Sequence, residues 1–255
     1  MHAYMCGRFG DKAYMGGPKI VLVDIETSPS LGYTWGKYEQ NVLKFTKEWE
    51  LLSFAYKELG SHATKCLSRP DFPKDSTDKS LVKAAWKVLN EADILIGHNL
   101  DKFDNRKLKA KFVEHGLSPP QTYKTVDTLK IARQQFAFNS NSLNDLGHTL
   151  KVGKKVKTGG IDLWFACMDG DPKAWSKMVA YNKQDVILLE KVYERLRSWY
   201  PNHPNLSLYT DRPGCPVCCS TRVQRRGTQV LKSRKVARLQ CQACGHWFKD
   251  SRKET

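Results

Sequence analysis

The sequence has no long apolar run. None of its 255 residues lies in a stretch that approaches the roughly 20 apolar residues that a bilayer-spanning helix needs. Residues 1–17 also lack the apolar core of a secretory signal and are expected to form a flexible leader. These absences argue against a membrane protein and against a secreted protein. They predict a cytoplasmic or other intracellular location.

Acidic side chains are also scarce. The chain has 26 Asp and Glu against 42 Lys and Arg, a formal net charge of +16. A strongly basic surface attracts phosphate backbones, so nucleic acid is the expected partner and no membrane partner is expected. From Tyr209 onward 11 basic residues stand against 3 acidic ones, so this short segment holds half of the net charge.

Disulfides are not expected among the eight cysteines, because the sequence carries no secretory signal. Five of them lie within 30 residues, and four of these form two Cys-x2-Cys pairs separated by 22 residues. This spacing resembles a zinc ribbon, in which four thiolates hold one structural Zn²⁺. Cys219 is surplus and could compete with Cys218, and His246 is a weaker substitute ligand. The expected zinc ligands are Cys215, Cys218, Cys241 and Cys244.

Seven basic and no acidic side chains lie between the two cysteine pairs. We expect them to form a phosphate-binding surface; the alternative is a solvated hairpin. A Lys- and Gly-rich segment, 151–160, is expected to be an exposed loop in which Lys154 and Lys155, with Lys151 and Lys157, extend the contact with nucleic acid. The seven residues between the cysteines are Arg222, Arg225, Arg226, Lys232, Arg234, Lys235 and Arg238.

The order of apolar patterns predicts a mixed α/β sheet flanked by helices, because strands come first, strand–helix alternation follows, and a long helix closes the series. Prolines at 201, 204 and 213 predict a linker. The expected N-cap of the fourth helix is either Ser142 or Asn141. The expected strands are 20–24, 51–58, 63–67, 94–97 and 125–127, and the expected helices are 79–91, 104–115, 129–136, 142–150 and 172–199. The expected domains are a catalytic domain 18–200, a linker 201–212, a ribbon 213–250 and a tail 251–255.

Two acidic residues, Asp24 and Glu26, end the first apolar run. Positions i and i+2 of a strand point to the same face, so the two carboxylates should project together. Adjacent like charges cost stability unless a cation lies between them, and Mg²⁺ and Mn²⁺ prefer carboxylate oxygens. The pair therefore predicts half of a metal site.

Two further segments carry acids where such a site needs them. Asp104 begins the helix after strand 94–97, and Asp185 lies four residues after Tyr181 on one helix face. Taken singly, Asp104 is also a candidate helix N-cap and Tyr181 a candidate core residue. Asp101, three residues before Asp104, is the alternative to it if the register differs.

In this order, Asp24-x-Glu26, Asn99-x4-Asp104 and Tyr181-x3-Asp185 resemble the three motifs of the DEDDy 3′–5′ exonucleases, and the likeness is greatest to the proofreading domains of family B DNA polymerases. The resemblance covers roughly residues 18–200 and implies a ribonuclease-H-like fold. It also implies hydrolysis of phosphodiester bonds with two Mg²⁺ or Mn²⁺ ions as cofactors.

The resemblance implies a role for each residue of the three motifs. Asp24 would bridge both ions, and Glu26 would ligate one ion and help to hold the attacking water. Asp104 would take the second ion, Asp185 would complete the first, and Tyr181 would orient the water. The chain offers no competing Ser/His/Asp or Cys/His set for covalent catalysis.

Other polar and aromatic side chains are assigned supporting roles. Asp127 is expected to support the sheet edge, and His98 and His148 are expected to be structural, because Tyr181 replaces the His of the sister subgroup. Four aromatic residues are candidates for stacking on unpaired bases, with core packing as the alternative for each. They are Trp35, Tyr38, Trp164 and Phe165.

The expected function is a metal-dependent 3′–5′ exonuclease, with DNA as the favoured substrate and a ribbon that aids nucleic-acid binding. The alternatives are a structure-selective endonuclease on the same fold and a non-catalytic nucleic-acid-binding or polymerase-accessory subunit. The remaining length cannot hold a polymerase palm and fingers. Any proofreading would therefore act in trans, beside a polymerase or another replication or repair protein.

Overall fold

The structure is a computed structural model that describes residues 17–38, 41–156, 158–210 and 214–249. The expected leader up to residue 16, Lys157 and the expected tail 251–255 lie outside the described residues. The strands are β1 Ile20–Thr27, β2 Leu31–Tyr33, β3 Lys44–Lys47, β4 Leu51–Glu58, β5 Lys65–Ser68, β6 Ile94–Gly97, β7 Lys124–Asp127, β8 Val223–Val230, β9 Lys235–Cys241 and β10 Trp247–Lys249. The helices are α1 Lys79–Asn90, α2 Asp104–Glu114, α3 Thr128–Gln135, α4 Leu143–Thr149, α5 Asp162–Met168 and α6 Pro172–Leu196, with 3-10 turns at Arg69–Asp71, Arg197–Trp199 and Leu206–Tyr209. Among the described helices, none combines the length and apolar character that crossing a bilayer requires.

The larger sheet has five strands in the order β5-β4-β1-β6-β7. β1 pairs antiparallel with β4 and parallel with β6, β4 pairs antiparallel with β5, and β6 pairs parallel with β7. Residues 20–23 of the central strand β1 are all buried, which is typical of a strand that is covered on both faces. The prediction of a ribonuclease-H-like mixed sheet flanked by helices is confirmed.

Alternate side chains of β1 pack on opposite faces of this sheet. Leu22 joins a core cluster with Val186 of α6, whereas Val23 joins a second cluster with the buried residues of α1. Burying one such side chain stabilises the fold by about 1.5–3 kcal/mol, so the register of β1 is strongly specified. Because side chains alternate with period 2, Asp24 and Glu26 point to the face that α6 covers.

Several boundaries agree with the sequence patterns. The strand predictions 51–58 and 94–97 match β4 and β6 residue for residue, and Ser142 is the N-cap of α4, accepting a hydrogen bond from the N–H of Asp145. The predicted helix 172–199 continues beyond α6 only as a 3-10 turn. The sequence does not predict β2, β3 or α5. All residues of β2 and β3 are exposed and α5 has only seven residues, so none carries a readable apolar period.

The cysteine segment forms a second sheet in the order β10-β9-β8. It packs against the end of α6, where Nδ1 of His246 donates a hydrogen bond to the carbonyl oxygen of Ser198 (2.7 Å). The N–H of Leu206 donates to the carbonyl oxygen of Pro216 (2.7 Å). The cysteine segment is therefore joined to the end of α6 and to the residues that follow it by one side-chain and one backbone hydrogen bond.

Candidate metal and nucleic-acid site

Three of the predicted acidic residues meet at the carboxyl edge of β1. Asp24, Glu26 and Asp185 each offer a carboxylate oxygen, and these oxygens all lie within 4.8 Å of one another. β1 supplies the first two on its α6 face, and α6 supplies the third from its buried side. The arrangement brings together residues 161 positions apart, as the metal-site prediction requires.

Asp104 lies directly beside this cluster and is 3% exposed. Its Oδ1 accepts a hydrogen bond from the backbone N–H of Ile25 (3.2 Å), which fixes the carboxyl group against β1 between the two acids of that strand. Its charge helps to raise the pKa of Asp24. Asp101 is partly exposed and donates its own N–H to Asp127 (3.2 Å), so the structure favours Asp104 over Asp101 as the fourth acid.

The electrostatics of the cluster favour a bound cation. Burial and the neighbouring carboxylates raise the pKa of Asp24 well above its usual range, and burial, with the charge of Asp185, raises the pKa of Glu26 to about 8. Burial raises the pKa of Asp104 to about 7. Carboxylates that repel one another in this way are stabilised by a divalent cation, which supplies the missing positive charge.

One atom of the cluster has an unmet bonding requirement. Oδ1 of Asp185 is buried and, within the described residues, has no hydrogen-bond partner. Buried carboxylate oxygens are rarely left so, and a metal ion is one of the groups that can satisfy them. The residues present therefore fit the hard divalent cation that the sequence predicts.

Asn182 is a residue of the site that the sequence pattern misses. Its side-chain amide donates a hydrogen bond to Oδ2 of Asp24 (2.5 Å), and its Oδ1 accepts one from Oγ of Ser53 (2.9 Å). Asn182 is fully buried, so these contacts orient the partly exposed Asp24 carboxylate from the protein core. Its position three residues before Asp185, on the same helix face, is the signal that could have identified it.

Lys155 reaches into the cluster from the loop between α4 and α5. Its Nζ lies 2.6 Å from Oδ2 of Asp185 and 3.2 Å from the hydroxyl oxygen of Tyr181. Although burial opposes the charge, the contact with Asp185 raises the pKa of Lys155 above its usual range. Most described residues of this loop are exposed, as predicted, and Lys154 is among them. The Lys155 ammonium is a countercharge of the acids, and its predicted contact with nucleic acid stays a prediction.

Tyr181 lies one turn before Asp185 and is 9% exposed. Its ring packs edge-on against Trp164 of α5, with ring centroids 6.1 Å apart. Burial, with the charge of Asp185, raises the pKa of Tyr181, so its hydroxyl stays protonated. A hydrogen bond from Trp164 lowers the pKa of Glu26, so this candidate stacking residue belongs to the wall of the site, while its neighbour Phe165 is exposed.

The loop before α2 is held by Asp127. The Asp127 carboxylate accepts hydrogen bonds from the N–H of Asn99 (2.9 Å) and of Asp101, and it also caps α3. Asn99 has a φ of 68°, a left-handed conformation that asparagine tolerates better than most residues. Asp127 therefore supports the sheet edge, as expected.

The two histidines behave differently from catalytic bases. The ring nitrogens of His98 lie 2.9 Å from Oγ1 of Thr128 and 3.0 Å from the carbonyl oxygen of Asn141, and burial lowers the pKa of His98 to about 4. These contacts join β6, α3 and the start of α4. His148 is exposed on α4. A structural role for His98 agrees with the sequence interpretation.

The four predicted zinc ligands form a separate cluster. Their sulfur atoms lie within 4.8 Å of one another, with Cys215–Cys244 and Cys218–Cys241 separations of 3.6 Å. A tetrahedron of sulfurs with Zn–S bonds of about 2.3 Å has edges of about 3.8 Å, so the cluster fits one Zn²⁺. The N–H groups of Val217 and Ala243 point at Cys215 and Cys241 (3.4 Å each). Surplus Cys219 packs against the core of the large sheet instead.

The basic residues between the cysteines are all exposed: Arg222 lies just before β8, and the others lie on β8, on β9 or in their connecting turn. The guanidinium of Arg238 lies 5.0 Å from the ring centroid of Trp247, which holds its charge at the surface. This surface is accessible along its length, as a phosphate-binding role requires. The seven are Arg222, Arg225, Arg226, Lys232, Arg234, Lys235 and Arg238.

Comparison with known proteins identifies the superfamily and the fold. The family model of the RNase H superfamily matches residues 51–197, more than half of the chain and a range that includes Asp104, Tyr181 and Asp185. Among solved structures, the chain is similar to the family B DNA polymerase from the hyperthermophilic archaeon Pyrobaculum calidifontis, with a TM-score of 0.53 and 14% sequence identity. The similarity covers 75% of this chain and 27% of the polymerase chain, so the chain spans about a quarter of that protein. A search among curated proteins found no match.

The fold is that of the RNase H class of nucleases, and it carries an acidic cluster that could hold a metal ion. The chain belongs to the RNase H superfamily, because the family model covers more than half of it. The polymerase comparison shows a shared fold. The C-terminal cluster of four cysteines fits a zinc ribbon added to that fold.

Proposed function

We propose that the chain is a metal-dependent 3′–5′ exonuclease that hydrolyses the phosphodiester bonds of nucleic acid, with DNA favoured. The observation that carries the proposal is the convergence of Asp24, Glu26 and Asp185 within 4.8 Å at the end of β1. Tyr181 joins them through Lys155, which contacts both its hydroxyl group and Asp185. In this proposal residues 18–200 form the catalytic domain, 201–212 the linker and 213–250 the ribbon.

Two Mg²⁺ or Mn²⁺ ions are the proposed catalytic cofactors. The residues that would hold them are Asp24, Glu26, Asp104 and Asp185. When bound, the ions supply a water molecule of lowered pKa and stabilise the charge that develops on the attacking and leaving oxygens. The unpartnered Oδ1 of Asp185 and the raised pKa values of the other acids support this ligand set.

The other side chains of the site position the reactants. The protonated hydroxyl of Tyr181, held between Lys155 and Trp164, is proposed to orient the attacking water. Asn182 keeps the Asp24 carboxylate in one orientation. The Lys155 ammonium pairs with the Asp185 carboxylate. If a cation took over that carboxylate, Lys155 would be placed to contact the substrate phosphate.

The ribbon is proposed to grip the nucleic acid outside the catalytic cleft. Its seven exposed basic residues lie on or next to one sheet that is tied to the end of α6, the helix that carries Tyr181 and Asp185. Phosphate contacts dominate the affinity of proteins for nucleic acid. The similarity to a family B DNA polymerase supports a place beside a polymerase or another replication or repair protein.

The test is hydrolysis of 5′-labelled single- and double-stranded DNA and RNA in Mg²⁺, Mn²⁺ or EDTA. We expect a ladder that shortens from the 3′ end with either metal and no cleavage in EDTA. Asp24→Ala is the control and should lower turnover by at least about a thousandfold, which corresponds to about 4 kcal/mol of barrier. Cutting of a circular strand would support the endonuclease alternative. Binding without hydrolysis would support the accessory-subunit alternative.

Metal analysis tests the ribbon independently. The purified chain is expected to contain about one zinc, because four thiolates fill a tetrahedral site. Cys241→Ser should lose this zinc, whereas Cys219→Ser should retain it, since Cys219 packs against the core of the large sheet. Retention of zinc by the Cys241 variant would contradict the ligand assignment.

A further inference from the structure

A β-hairpin made of β2 and β3 leaves the large sheet beside the acidic cluster. At its root the N–H of Ser28 donates to the carbonyl oxygen of Glu50 (2.9 Å), and the N–H of Glu50 donates to Oγ of Ser28 (2.9 Å). Ser28 is two residues beyond Glu26, so the hairpin begins at the edge of the sheet where the acids lie. Whatever binds this hairpin also lies next to the candidate active site.

The hairpin exposes large aromatic side chains. Trp35 is 84% exposed, Tyr38 is 89% exposed and Tyr33 is 64% exposed. Aromatic side chains are costly to leave in water, and a group of them on one exposed element marks a binding surface. The two strands of the hairpin approach each other closely at Gly32. A Cβ on Gly32 would lie 2.4 Å from a side-chain carbon of Val42, so only glycine permits this approach.

Lysines are interleaved with these rings. Lys44 pairs with Tyr33 across the two strands and therefore lies on the same face. The ammonium of Lys37 lies 5.8 Å from the ring centroid of Tyr38. Residues 31–47 contain three lysines and one acid in the sequence, so the element is basic as well as aromatic. Rings for bases and cations for phosphates are the combination found in proteins that bind single strands, whereas protein interfaces are depleted in lysine.

A further cation lies between the hairpin root and the acids. Nζ of Lys107 lies 3.9 Å from the ring centroid of Trp49 and 3.3 Å from Oγ1 of Thr27. Thr27 follows Glu26 directly, and Lys107 lies one helical turn after Asp104. Positive charge therefore continues from the hairpin towards the acidic cluster.

We propose that the β2–β3 hairpin is a stacking platform for the unpaired bases of a single nucleic-acid strand, with Trp35 and Tyr38 as its main contacts. The strand would run from the hairpin past Lys107 to the acids. This inference deepens the proposed function and rests on it for the place of cleavage. The stacking itself is a binding property that does not depend on hydrolysis.

The test compares the full chain with its Trp35→Ala/Tyr38→Ala variant by fluorescence anisotropy in buffer without Mg²⁺, Mn²⁺ or chelator, where no hydrolysis is expected and the zinc of the ribbon is kept. The probes are a 5′-labelled single-stranded dT12 and the same strand with abasic sites in place of its four 3′-terminal bases. Because stacking on one aromatic ring strengthens binding by about tenfold or more per base, we expect at least a tenfold loss of affinity for dT12 in the double variant. The loss should be under about threefold for the abasic strand, which has no terminal bases to stack.

Two further variants serve as controls. Trp199→Ala removes an exposed tryptophan at the far end of α6 and should leave both affinities unchanged. Trp35→Phe/Tyr38→Phe keeps the rings and should retain most of the affinity for dT12, which separates stacking from misfolding. Thermal unfolding of each variant verifies that the fold is intact.

Two results would overturn the platform. One is wild-type affinity for dT12 in the double alanine variant, which would mean that the exposed rings bind a protein partner and not unpaired bases. The other is an equal loss of affinity for dT12 and for the abasic strand. A separate assay of the wild-type chain in Mn²⁺ reports on hydrolysis. If that assay shows no cleavage, the exonuclease proposal fails while the anisotropy result still decides the platform.

Discussion

The side-chain amide of Asn182 on α6 donates a hydrogen bond to the carboxylate of Asp24 on β1. This contact joins the central strand to the long helix across 158 residues of sequence, at the point where the acids converge. Asn182 is in turn held by Ser53 of β4. A buried amide thus sets the orientation of the first proposed metal ligand.

Asn182→Ala should therefore weaken both the fold and the metal site. Removing a buried hydrogen-bond partner costs about 1–3 kcal/mol of unfolding free energy, and loss of a group that orients a metal ligand costs about 10–100-fold in metal affinity. Urea unfolding and Mn²⁺ titration measure the two effects. Ser53→Ala is the matched control and should cost less, because Sγ of Cys66 still lies 3.6 Å from Oδ1 of Asn182. Equal Mn²⁺ affinity in Asn182→Ala and wild type would contradict the orienting role.

Asp104→Asn should lower turnover by at least about a hundredfold, because it removes a charge that the metal site needs while its Oδ1 can still accept the N–H of Ile25. Burial already raises the pKa of Asp104 to about 7. Above that pH the variant should be at least as stable as wild type in metal-free buffer, since one repelling charge is gone. Asp101→Asn is the control and should lower turnover only slightly. A larger loss of turnover in Asp101→Asn than in Asp104→Asn would show that Asp101 is the fourth acid.

Tyr181→Phe should lower the rate by about ten- to a thousandfold, because the hydroxyl is proposed to orient the attacking water. Divalent-ion binding measured by calorimetry should change little, since Tyr181 is not a proposed metal ligand. Loss of the contact with Lys155 removes one partly buried hydrogen bond, so the stability cost should be about 1 kcal/mol or less. Loss of metal binding in this variant would make Tyr181 a structural residue.

Neutralising the ribbon surface should weaken nucleic-acid binding and flatten its salt dependence. In Arg225→Gln/Arg226→Gln/Arg234→Gln/Lys235→Gln, the slope of log affinity against log salt should fall by about 3, since each phosphate contact with a single strand contributes about 0.7. The control replaces four exposed lysines of α1 and α2 by Gln. They are Lys79, Lys83, Lys87 and Lys109. A slope that responds equally in both variants would mean that the effect is one of net charge and not of the ribbon.

The contact between the end of α6 and the linker should make stability depend on pH. Burial lowers the pKa of His203 from 6.5 to about 4. Its Nδ1 donates to the carbonyl oxygen of Pro204 (2.7 Å), and its Nε2 lies 2.8 Å from the hydroxyl oxygen of Tyr193. The folded state therefore binds fewer protons than the unfolded state between pH 4 and 6.5, and stability falls as the pH falls through this range.

His203→Gln tests that dependence. The variant should be less stable than wild type at pH 7, because it loses well-formed hydrogen bonds. Its stability should fall less steeply between pH 6.5 and 4, with the difference between the two profiles approaching about 3 kcal/mol at the acid end. Burial also lowers the pKa of His98 to about 4, and the comparison cancels that contribution because both proteins contain it. Parallel profiles would show that His203 does not carry the pH dependence.

Much of the fold and of the acid site could be predicted because the signals are local. The buried run that forms β1 ends on Asp24 and Glu26, and the period of a strand alone places both on one face. The i, i+4 spacing of Tyr181 and Asp185 on a helix works in the same way. The hairpin β2–β3 escapes such a prediction, because its strands bury nothing and so leave no apolar pattern.

The sequence by itself determined the α/β fold class, the three acidic motifs and the four cysteines with zinc-ribbon spacing. Each of these depends on a spacing of a few residues or on the period of one element. Only the tertiary structure decided that Asn182 holds Asp24, that Lys155 is the countercharge of Asp185 and that the aromatic hairpin begins beside Glu26. Such contacts join residues that are far apart in the chain or lie on irregular loops. They exist only after the sheet and helices have packed, so no local period can encode them.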